Sequence, residues 1–126
     1  MRIPVFVLLA VLVAGCVQTP WYSKSQEDVI VTMDEFSFNS SATEFRKGME
    51  YTFVIKNAGK IPHEFAIAPV GVTDHAKMLI HLPVEQFPPG AEVRQKFTFT
   101  QDGKFEFACH IMGHYENMMI LAITVD

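Results

Sequence analysis

The run Phe105-Glu106-Phe107-Ala108-Cys109-His110-Ile111-Met112-Gly113-His114-Tyr115-Glu116-Asn117-Met118-Met119 decides how this chain is read. It begins as a strand, with Phe105 and Phe107 alternating with Lys104 and Glu106. Cys109, His114 and Met119 then follow at five-residue intervals, and Gly113 supplies a turn. A loop that joins adjacent strands can gather donors from both its ends and its tip around one point. Thiolate, imidazole and thioether are soft to borderline donors, suited to copper that cycles between Cu(I) and Cu(II). A fourth donor has to come from elsewhere, and His63 in Ile61-Pro62-His63-Glu64-Phe65 opens a strand after the loop 57–62. Two histidines, a cysteine and a weak, distant methionine form the donor set of a copper electron-transfer site.

Upstream of that run the same two-residue period recurs. Val29, Val31 and Met33 alternate with Ile30 and Thr32; Tyr51, Phe53 and Ile55 alternate with Thr52, Val54 and Lys56; Phe97 and Phe99 alternate with Lys96, Thr98 and Thr100. Such rows place one side inward and the other toward water. Breakers separate them at Lys47-Gly48, Asn57-Ala58-Gly59, Pro88-Pro89-Gly90 and Asp102-Gly103. Residues 118–125 are mostly apolar and predict a strand covered on both faces. Between Thr73 and Leu82 the pattern changes: Thr73 or Asp74 caps a short helix with Ala76, Leu79 and Ile80 on its apolar side, and Pro83 stops it. Six to eight short strands with one helical excursion predict an all-β, antiparallel Greek-key sandwich with a short helical insert.

With these residues in hand, 59–65 and 97–125 resemble the cupredoxin family, in particular members with four residues between the cysteine and the second histidine. Those proteins carry Cys-x-x-Pro-Gly-His-x-x-x-Gly-Met, and here Cys109, Gly113, His114 and Met119 keep their places. The resemblance implies His63, Cys109 and His114 as equatorial ligands of one type 1 copper per chain, with Met119 axial. Met112 stands where proline is usual and Met118 where glycine is usual, which leaves two adjacent thioethers as axial candidates. Strand register selects Met119, because neighbouring residues point to opposite faces. The stretch from His63 through the insert also resembles lipoprotein or periplasmic cupredoxins linked to copper tolerance.

The first residues read as an export signal. Arg2 gives a minimal positive region, residues 5–13 are apolar, and Val13-Ala14-Gly15-Cys16 ends a small-residue cleavage site in cysteine. About ten apolar residues are too few to span a bilayer. The stretch resembles a bacterial lipobox, with Cys16 as the lipidated first residue. Residues 1–15 are then the signal peptide, 16–28 a lipidated N-terminus and tether, and 29–126 the domain. About 110 mature residues favour a single modest core. Of the chain's two cysteines, only Cys109 is then free, which excludes a disulfide framework within one mature chain. A lone exported thiol is protected when it ligates a metal. The formal charge of −4 argues against nucleic acid and against a polybasic membrane-binding surface.

Two further clusters follow from neighbouring positions. Glu64 adjoins His63 and His110 adjoins Cys109, and the corresponding residues of cupredoxins commonly tie the two ligand loops together; a Glu64–His110 contact is expected to orient the ligands. His75, Met78 and His81 share the insert and could supply donors for a second, weaker Cu(I) site, but the preferred reading is a polar helical surface with one methionine packed inward. No Ser-His-Asp arrangement, phosphate loop or paired catalytic carboxylate stands out, so no enzyme is expected. The resulting expectation is an extracytoplasmic, membrane-anchored electron-transfer protein that meets redox partners near Ile111, Met112 and Tyr115. Its alternative is a protein of copper tolerance or delivery that exchanges the ion with a donor or acceptor.

Overall fold

The computed structural model describes residues 28–126, so the expected signal peptide, Cys16 and the expected tether up to residue 27 lie outside the described residues. The alternating rows become strands of two packed sheets. One sheet runs β2 (Ser37–Ser40), β1 (Val29–Asp34), β4 (Glu50–Asn57), β7 (Glu92–Thr98). The other runs β3 (Glu44–Phe45), β9 (Ile120–Val125), β8 (Gly103–Ala108), β5 (Phe65–Pro69), β6 (Ile80–Leu82). Val29, Val31 and Met33 of β1 face inward, as their period requires. Between the sheets Phe45, Phe53, Phe65, Phe99 and Phe107 are fully or almost fully buried and touch in tilted and edge-to-face pairs, Phe45 to Phe99 at 5.2 Å between ring centroids and Phe53 to Phe107 at 5.8 Å.

Three expectations change. The sandwich is mixed rather than antiparallel throughout, because β1 pairs with β4 and β3 with β9 in parallel. The insert holds no α-helix: it is a single 3-10 turn, His75–Lys77, capped by Asp74, whose carboxylate accepts from the Ala76 amide at 3.0 Å. The chain then joins β5 as the edge strand β6, and the Leu79 amide donates to the Ile67 carbonyl at 2.8 Å. A short isolated helix has a costly nucleus, and an open sheet edge offers the same backbone groups ready partners. Finally, β9 is covered on one face only: Ile123 and Val125 are buried while Ala122 and Thr124 are exposed.

Register decides where the chemistry lies. Ala108 at the end of β8 pairs with Ala66 near the start of β5 and with Ile120 at the start of β9. The residues just beyond these three strand ends are therefore His63, Cys109 and Met119, all delivered to one end of the five-stranded sheet.

Candidate metal centre

The loop from Cys109 to Met119 is wound by its own backbone. The Cys109 amide donates to the Met119 carbonyl at 3.2 Å and closes the hairpin between β8 and β9. Inside it, the His114 amide donates to Ile111 at 2.8 Å, that of Met118 to Tyr115 at 2.9 Å, and that of Met119 back to His114 at 3.1 Å. Gly113 takes φ 86°, in the left-handed region where a side chain is penalised, and its amide donates to the Glu116 carboxylate at 2.8 Å.

His63 is fixed by a different device. Asn57, buried at the end of β4, donates from its side chain to the carbonyls of Ile61 and Phe87, both at 2.9 Å, and accepts from the Gly59 amide at 2.9 Å. The His63 amide donates to the same Phe87 carbonyl at 3.3 Å. Replacing Asn57 by alanine removes three hydrogen bonds, two of them buried, and is expected to cost about 2–3 kcal/mol, read as a lower urea midpoint of the metal-free protein.

These two devices bring three ligand atoms together. His114 Nδ1 lies 3.3 Å from Cys109 Sγ and 3.3 Å from His63 Nδ1, and the three atoms all fall within 4.8 Å of one another. All three residues are buried. Around one first-row ion, nitrogen and sulfur donors at about 2.0–2.3 Å sit about 3.5 Å apart in a trigonal plane, close to the separations seen. Burial pushes the Cys109 thiol up, against the amides of Glu64 and Ile111, which favour the thiolate. Burial, with His114 beside it, holds His63 below the usual histidine range, in the neutral form that ligates metals. A buried pocket with two imidazoles and one thiol aimed at a common point fits a soft or borderline cation, whose charge would draw the proton off sulfur.

The two methionines at the end of the loop have different fates. Met119 is fully buried and belongs to the same apolar cluster as Cys109. Met118 is exposed and takes φ 64°, the conformation the family's glycine would adopt freely. A left-handed conformation costs a non-glycine residue about 1–2 kcal/mol, part of which glycine returns as chain entropy. Met118→Gly is therefore expected to raise stability by about 0.5–1 kcal/mol in urea unfolding, with metal binding unchanged.

The Glu64–His110 contact exists, but through the backbone: the His110 amide donates to Glu64 Oε1 at 2.9 Å, while the His110 ring Nδ1 stays 3.9 Å away. The ring instead stacks on Tyr115, with centroids 4.7 Å apart. The Glu64 amide in turn points at Cys109 Sγ, at 3.5 Å. Tyr115 donates its hydroxyl to Glu106 Oε1 at 2.8 Å, and burial followed by this hydrogen bond pushes the hydroxyl up to about 12. Of the expected apolar patch, Met112 is 94% exposed, whereas Ile111 packs against the core.

Two residues at the centre escape the sequence reading. Glu35, in the turn after β1, accepts from the amides of Lys60 at 2.5 Å and Ile61 at 3.0 Å, and these, Lys60 foremost, hold its carboxyl down to about 2. Its Oε1 lies 3.7 Å from His63 Nε2, a buried nitrogen with no hydrogen-bond partner. Gly59 is required by this approach, since a Cβ there would run into the Glu35 carboxylate. Phe36 sets its ring edge-on to His114 at 5.0 Å. No periodicity or spacing marks either residue; both reach the site only because β1 ends beside the loop 57–62.

Comparison with known proteins bears on the family and the fold. The family model described as cupredoxin-like domain matches residues 5–122. The copper-resistant cuproprotein CopI of Rubrivivax gelatinosus is 33% identical over 113 residues, covering 82% of this chain and 68% of that protein. A second copper-resistant cuproprotein CopI, from Pseudomonas aeruginosa, is 26% identical over 142 residues, covering 82% and 78%. Among solved structures, reduced auracyanin from Roseiflexus castenholzii superposes with a TM-score of 0.62 at 19% identity, covering 77% of this chain and 94% of that one. Rusticyanin from Thiobacillus ferrooxidans superposes with a TM-score of 0.62 at 18% identity, covering 83% and 80%. The two structural likenesses bear on the fold.

Proposed function

Since the chain belongs to the family of cupredoxin-like domains, we propose that it holds one type 1 copper ion through His63, Cys109 and His114, with Met119 as a weak fourth donor, and transfers electrons outside the cytoplasm. The observation that carries this reading is the convergence of His63 Nδ1, His114 Nδ1 and Cys109 Sγ in a buried site. When bound, copper supplies one-electron chemistry between Cu(I) and Cu(II).

The residues of the chain do the rest. Cys109 offers the most covalent contact, and the two imidazoles complete a set of donors drawn from two distant segments. Because Asn57 and the wound loop hold those segments, the donors move little between oxidation states, which keeps reorganisation small. The Glu64 amide directed at Cys109 Sγ withdraws density from the sulfur and helps set the potential. Exposed Met112, two residues before His114 on the ligand loop, supplies apolar surface for a redox partner. The reading involves no substrate turnover. It places the domain in the periplasm or an equivalent compartment, anchored through lipidated Cys16, on the strength of the apolar run and the cysteine that ends it.

A second reading, copper tolerance or delivery, is favoured by the relatives named for copper resistance. Reduction of the copper-loaded protein in the presence of a Cu(I) chelator separates the two. Electron transfer predicts a colour that bleaches and returns with the metal retained; delivery predicts that the ion passes to the chelator on reduction.

A further inference from the structure

A second group of donors lies beside the buried centre and shares no ligand atom with it. Ligand atoms of Glu64, His75 and His81 all fall within 4.8 Å of one another. Strand pairing builds the group: His81 of β6 stands opposite Ala66 of β5, two residues after Glu64, and the 3-10 turn returns His75 over His81. The two imidazoles stack with centroids 3.9 Å apart at an interplanar angle of 27°. Glu64 divides its oxygens: Oε1 accepts from the His110 amide at 2.9 Å and lies 4.0 Å from His75 Nε2, while Oε2 faces His81 Nε2 at 3.2 Å. The His110 ring adjoins the group. Its side chain is 5% exposed, neither ring nitrogen has a hydrogen-bond partner, and its centroid is 6.3 Å from that of His75.

We propose that Glu64, His75 and His81 form a second metal site, one that takes Cu(II), with the buried ring of His110 beside it. The chemistry of the donors selects the ion. Imidazole nitrogen and carboxylate oxygen without sulfur suit a divalent ion in tetragonal geometry, and Cu(II) binds such sets more tightly than the other divalent first-row ions. This differs from the Cu(I) alternative weighed for His75, Met78 and His81, because the structure pairs the histidines with a carboxylate. The side chain of His75 is 53% exposed, so this site opens to solvent, whereas the other centre is enclosed. Glu64 and His110 adjoin His63 and Cys109 along the chain, so an ion arriving from solvent is held one residue away from two donors of the buried centre. The two sites share no donor, and the proposal stands or falls apart from the type 1 reading.

The test titrates the full chain, already loaded with one equivalent of Cu(II), with further Cu(II), followed by equilibrium dialysis, electron-spin resonance and visible absorption. A second ion with a tetragonal signal and no added visible sulfur band is expected. His75→Ala/His81→Ala is expected to keep the first ion and its colour and to bind the second at least tenfold more weakly. His75→Ala alone, a change on an exposed turn, is expected to weaken it in the same direction. Cys109→Ser is expected to lose the colour and retain the tetragonal ion, so failure of either site is seen separately. Uptake of a single ion by the wild type, or equal uptake of the second ion by the double variant, overturns the proposal.

Discussion

Given one equivalent of Cu(II), a Cys109→Ser chain is expected to stay colourless, whereas the wild type develops an intense visible band that a reductant bleaches. The sulfur is the single soft anionic donor in the pocket, 3.3 Å from His114 Nδ1 and beneath the Glu64 amide at 3.5 Å. A serine hydroxyl at the same place is far harder to ionise and offers no sulfur-to-copper charge transfer. Loss of even an outer hydrogen-bonding partner of a metal ligand costs about 10–100-fold in affinity, so loss of the thiolate itself is expected to exceed about 100-fold. The substitution is nearly isosteric, and urea unfolding of the two metal-free proteins is expected to agree within about 1 kcal/mol. A visible band of wild-type intensity in the serine variant would remove the thiolate from the centre.

Phe53→Ala is expected to have the largest effect on stability. The ring is fully buried on β4 of one sheet and meets Phe45, Phe65 and Phe107 of the other at 5.6, 6.5 and 5.8 Å between centroids. Removing it leaves a cavity where the two sheets grip each other, and such changes cost about 3–5 kcal/mol. A domain of this size has about 5–15 kcal/mol in total, so a large part of the folding free energy goes. Urea unfolding should show a much lower midpoint, with metal binding lost at denaturant concentrations the wild type tolerates. A change below about 1 kcal/mol would mean that the aromatic cluster is not the main tie between the sheets.

The parts of the molecule legible in the sequence are those with a local period or a fixed spacing. Val29, Val31 and Met33, and Phe105 and Phe107, announce their inward faces by alternation alone. Cys109, Gly113, His114 and Met119 announce a hairpin loop with donors at its ends and tip, and the structure brings His63, Cys109 and His114 together there. What stayed hidden depends on which segments pack across one another. Glu106 alternates toward the outer face of β8, yet it is buried, because Tyr115 folds over it and the Gly71 amide approaches its carboxylate at 3.3 Å. Glu35 reads as one more acid in a turn until β1 sets it beside the Lys60 and Ile61 amides. The stretch 73–82 has helix-like apolar spacing, but the open edge of β5 takes Ile80–Leu82 as a strand, and the 3-10 turn before it lays His75 over His81.

A type 1 centre in this chain requires that one sulfur and two imidazole nitrogens close on the same ion. X-ray absorption at the copper K edge of the full chain, loaded with one equivalent, tests it most directly. One short copper–sulfur contact together with two imidazole nitrogens is expected, the sulfur contact being lost in Cys109→Ser. A first shell of nitrogen and oxygen alone, with the Cys109 thiol still open to alkylation in the loaded protein, would contradict it.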